Sequence, residues 1–154
     1  MNEIILIAHV VFGVACMVAA VWLFVDVLNA NAQNLARIRR LSWGAAGAMW
    51  LAFLVGGYFY LTAYKADKAI ILAEKNKPWH FAHELVMETK EHLVIVLLLL
   101  ATYLPIVASN NLAASKDARK LMLWVTATVA LLALLMDGEG GIIAMGVKMG
   151  LLAK

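Results

Sequence analysis

Charge is scarce in this chain. Lys, Arg, Asp and Glu together make up 15% of its 154 residues, against about 25% in a soluble domain. Four long runs carry no charge at all: Ile4–Val25, which holds one histidine, Trp43–Tyr64, Leu93–Ser109 and Leu121–Met136. A membrane span needs about 20 apolar residues. The first two runs meet that length, and the last two reach it by extension into neighbouring residues. Hydrophobic residues make up 64% of the chain, well above the about 45–50% of soluble proteins. The mean hydropathy is +0.84.

Other shortages exclude other classes. Cys16 is the single cysteine, so no internal disulfide can form, and its place inside the first run marks it as a small buried hydrophobe. A secretory leader would need a basic start, whereas the first run is preceded by Glu3. No G-x-S-x-G elbow occurs. "HELVM" has a methionine where a zinc-protease helix needs its second histidine. "GEGG" is too short for a phosphate-binding fingerprint. The basic residues flank the apolar runs and form no aromatic-interleaved groove, so nucleic acid is not an expected partner.

These patterns predict an all-α fold in one domain, residues 1–154: an integral membrane four-helix bundle running up-down-up-down. The helices are expected at about 2–29, 41–66, 78–109 and 116–137, with a tail at 142–154. "KADKAIILAEKNKP" reads as an extension of the second helix or a short interfacial helix. Pro78 suits the first turn of the third helix, which would extend beyond the bilayer. Pro105 is a candidate kink. Ser115 suits an N-cap. "DGEGG" reads as a break in the fourth helix at residues 137–141, because glycines disfavour helix interiors. The first and third links hold six basic residues and the second link four. That bias sets both termini outside, in a bacterial or archaeal plasma membrane.

Helix rise gives each polar residue a depth. At about 1.5 Å per residue from the end holding the first and third links, His9 lies roughly 28 Å up, Gly56, Gly57 and Tyr60 roughly 22–28 Å, His92 roughly 24 Å, Glu88 roughly 30 Å and Asp137 roughly 28 Å. All four helices thus bring polar groups to one layer. Ionisable residues inside spans usually face a bundle interior or a cavity.

Three readings of that layer follow. In the first, haem b binds between the helices through His9 and His92, with Gly13, Gly56 and Gly57 giving the ring room. The protein would then be a membrane-bound electron-transfer protein serving quinone or a larger redox complex, and its outline is similar to that of small membrane b-type cytochromes. In the second, a transition metal sits among His9, His83, Glu84, Glu88, His92 and Asp137, since histidine with carboxylate suits zinc, iron or manganese, and Met87, Met136 and Met145 leave copper open. In the third, the layer is packing in an accessory or oligomeric subunit. His9 would then be a neutral histidine bonded to a backbone carbonyl or to Glu88. The face bearing His80, His83, Glu84, Met87, Lys90 and Glu91 would be wet, and "GAAGAMWLA" would be a helix contact built on small residues.

Overall fold

The computed structural model describes residues 2–153. Its order is α1 (Asn2–Leu28), α2 (Leu35–Thr62), α3 (Tyr64–Ile71), a 3-10 segment (Glu74–Trp79), a π-helical segment (Ala82–Met87), α4 (Glu88–Ala108) and α5 (Lys116–Leu152). No strand occurs among the described residues. Four helical stretches are long and apolar enough to cross a membrane: Glu3–Leu28, Leu35–Thr62, Ala82–Ala108 and Lys116–Leu152.

The four long helices close a ring. α1 packs on α2 and α5, and α4 completes it against α2 and α5. Apolar side chains cover the outside as well as the inside. Val18, Trp22, Leu54, Leu61, Leu99, Trp124 and Leu131 are all exposed. A helix apolar all round belongs in a membrane or a large core.

The packed core occupies one half of the ring. Cys16, Ala20, Leu23 and Val27 of α1 recur at helical spacing and meet Ala45 and Met49 of α2, Leu97, Ala101 and Leu104 of α4, and Met122, Val125 and Val129 of α5. Within "GAAGAMWLA" the contact is made by alanines. Ala45, Ala46 and Ala52 are buried, whereas a Cβ on Gly44 or Gly47 would meet nothing. Asp26 of α1 ties this end to α2. It is 6% exposed, and Arg37 grips both of its oxygens at 2.6 and 2.7 Å. Ser115 caps α5 by accepting from the Ala118 N–H.

Two features differ from the sequence expectation. α5 runs unbroken through Asp137–Gly141. No glycine among the described residues has positive φ, and three glycines of α5 admit close neighbours. Gly140 lies under Lys90, Gly146 against Ala82 and Gly150 against Ile70. The third span, expected as one regular helix from Pro78, instead passes through the 3-10 and π segments before α4 begins at Glu88. It then continues through Pro105 to Ala108.

Candidate functional site

The other half of the ring is hollow. A cavity of about 690 Å³ lies among the first half of α1, the second half of α2, the start of α4 and the second half of α5, with α3 and the π segment at its margin. Drug-sized ligands occupy pockets of about 300–1,000 Å³. The wall is chiefly apolar. Its polar members include His9, Tyr60, Tyr64, Asp67, Lys90, Glu91 and Asp137.

His9, Asp137 and Lys90 are each seated by a glycine or a carbonyl on a facing helix. His9 Nδ1 donates to the Ala52 carbonyl at 2.8 Å, so Nε2 of the neutral ring carries the lone pair. The ring lies against α2 where a Cβ on Gly56 would fall 2.5 Å from Nδ1. Asp137 lies against α1, 2.9 Å from where Gly13 would carry a Cβ. Gly57 lines the cavity, and a Cβ there would meet nothing within 4 Å. Lys90 reaches from α4 to donate to the Met136 carbonyl at 2.9 Å. Its neighbouring charges are Asp137 and Glu139, yet no ion pair forms there among the described residues. Asp137 Oδ2 and Glu139 Oε2 are buried without a hydrogen-bond partner.

The margin is aromatic and acidic. Tyr60 and Tyr64 stack with ring centroids 5.4 Å apart. The Tyr60 hydroxyl sits beside the Glu91 carboxylate. The buried Tyr64 hydroxyl and His83 Nδ1 share a hydrogen bond at 2.9 Å. Burial holds the Tyr64 phenol above the usual tyrosine range, which keeps it protonated. Burial also raises the Asp67 carboxyl above the usual carboxylate range.

The residues proposed from sequence fall into three places. His9, Gly13, Gly56, Gly57 and Asp137 line the cavity. His83 is buried beneath Tyr64. Glu84, Glu88 and His92 line a separate shallow groove on the outer side, where His92 Nδ1 donates to the Glu88 carbonyl at 2.6 Å. His9 and His92 are therefore not brought to one pocket. Gly13 and Gly56 take up protein side chains. No group of three His, Cys, Asp or Glu side chains among the described residues could hold a metal ion.

The α4 wheel explains the separation: Lys90, Val94 and Leu97 share the cavity face at helical spacing, and His92 falls on the opposite side. Before α4, the i→i+5 pattern of the π segment changes the phase of the wheel. Met87, Lys90 and Glu91, wet in the third reading of the sequence, line the cavity wall. His83 becomes 6% exposed and Leu85 64%. Lys90 was the chief residue missed. The signal was present in its i, i+4 and i+7 spacing to Val94 and Leu97, both of which line the cavity. Compared with known proteins, the chain matches no family profile, no curated protein and no solved structure.

Proposed function

We propose that the chain is an integral membrane protein of four up-down-up-down spans, with both termini outside, that binds a small lipid-soluble molecule in the cavity between them. The carrying observation is the cavity itself: all four spans build it, and it is apolar but for a few convergent polar groups. Such a site is the default expectation for ligand binding. Ionisable residues at membrane depth are costly and mark functional sites. α5 supports the placement. Its 37 residues extend about 55 Å, beyond the about 30 Å of hydrocarbon, and its far end packs on α3 and the 3-10 segment.

The test is native mass spectrometry of the protein released gently from its membrane. We expect a lipid-soluble compound bound in a 1:1 ratio, and expect Gly57→Trp, which fills open space, to lose it. The same bound compound in Gly57→Trp would contradict the reading.

One observation favours a redox alternative. A histidine that gives its Nδ1 hydrogen to a carbonyl presents Nε2 in the manner of a metal ligand, and His9 does so. Haem b held by His9 alone would then be the occupant, and electron transfer the activity. Oxidised and reduced absorption spectra decide it. A Soret band that disappears in His9→Ala supports haem, and a featureless spectrum of freshly isolated protein removes it.

A further inference from the structure

Resting on the binding reading above, we propose that the occupant is a lipophilic organic cation, an amine or quaternary centre carrying apolar groups, held at the aromatic and acidic margin of the cavity. Charge complementarity carries the inference. Asp67, Glu91 and Asp137 face the cavity against the single ammonium of Lys90, so the wall is formally two charges negative. Lys90 is already engaged by the Met136 carbonyl, and its charge is met by Asp137 and by Glu139 behind it. What remains uncompensated is the margin, where Glu91 and Asp67 lie beside the stacked rings of Tyr60 and Tyr64.

That pairing is specific. Aromatic faces attract a cation through their quadrupole, most strongly where water is excluded. A carboxylate beside them adds direct charge, and Phe53 and Phe59 extend the wall for apolar substituents. An anionic amphiphile at the margin would set its head beside two carboxylates, Glu91 and Asp67. A neutral one would leave the charges of Glu91 and Asp67 uncompensated. Asp67 is half-buried with no hydrogen bond or ion pair found for its side chain among the described residues, an arrangement that a bound cation would relieve.

Two ions of matched shape and opposite charge test this. Tetraphenylphosphonium and tetraphenylborate are titrated into the protein in lipid nanodiscs, with empty nanodiscs subtracted. We expect saturable binding of the phosphonium, at least about tenfold tighter than the borate, weakened about tenfold or more by Glu91→Gln and by Asp67→Asn, and abolished by Gly57→Trp. Glu91 is exposed, so Glu91→Gln keeps the fold, as its thermal midpoint will show. Borate binding as tight as phosphonium, or phosphonium affinity unmoved by either carboxamide variant, overturns the cation assignment. If Gly57→Trp still blocks uptake in that case, the cavity reading survives. If neither ion binds, the cation assignment falls, and an empty cavity by native mass spectrometry would then remove the binding reading too.

Discussion

Glycines at this site differ in what they face, and that difference can be measured. Gly56→Ala would drive a methyl group into the His9 ring. Overpacking of this kind typically costs about 1–3 kcal/mol, so a lower thermal midpoint and loss of the His9–Ala52 hydrogen bond are expected. Gly57→Ala meets nothing and gains about 0.5–1 kcal/mol by removing glycine's helix penalty. The adjacent pair should therefore move the midpoint in opposite directions. The sequence showed both glycines at one depth. It could not show that one seats a side chain and the other borders open space, because that depends on helix rotation. Asp67 supplies a pH test. Its carboxyl is raised by burial, so the folded state holds its proton more tightly than the unfolded state. Stability is therefore lost as pH rises from the unfolded value of about 3.9 through the raised folded value. Asp67→Asn should raise the thermal midpoint at pH 7, with the advantage vanishing below about pH 4. A constant difference across that range would contradict the assignment.

Among the elements, α5 departs most from expectation. Ser115, read from the sequence as its N-cap, caps it by accepting from the Ala118 N–H. "DGEGG" reads as a break because propensity counts only local cost. In the structure Gly140 admits Lys90, and beyond the segment two further glycines admit neighbours whose close approach needs a missing side chain. Gly146 admits Ala82 and Gly150 admits the Ile70 carbonyl. Gly138 and Gly141 face nothing within 4 Å. Gly138→Ala and Gly141→Ala should each stabilise a continuous helix by about 0.5–1 kcal/mol, whereas a chain turning there would be destabilised. Gly150→Ala should instead loosen α3 and the 3-10 segment, seen as faster hydrogen exchange over residues 64–79 with α1 and α2 unchanged. The third span was harder to read for a related reason. A single π segment rotates everything before it, and a regular wheel drawn through His80–His92 then faces the wrong way.

At the scale of the molecule, the chain divides its length between two tasks. The half holding Cys16–Val27, Leu97–Leu104 and Met122–Val129 is packed solid. The half holding His9, Gly56, Lys90 and Asp137 is open, bordered by Gly57 and Gly141 and lined with ionisable groups. Four helices long and apolar enough to span were legible in the sequence, as was the meeting of His9, Gly56 and Asp137, since these need only hydropathy and helix rise. The pairing of inward groups was not, since His9 and His92 share a depth but not a face. The open half is the central claim, and a buried cysteine measures it directly. Ala133 is 4% exposed and lines the cavity, whereas Ala45 is fully buried in the packed core. In membranes, with Cys16 replaced by alanine, Ala133→Cys should react with a small lipid-soluble maleimide and Ala45→Cys should not. Adding Gly57→Trp should protect Ala133→Cys. An unreactive Ala133→Cys, or equal reaction at both positions, would contradict the account.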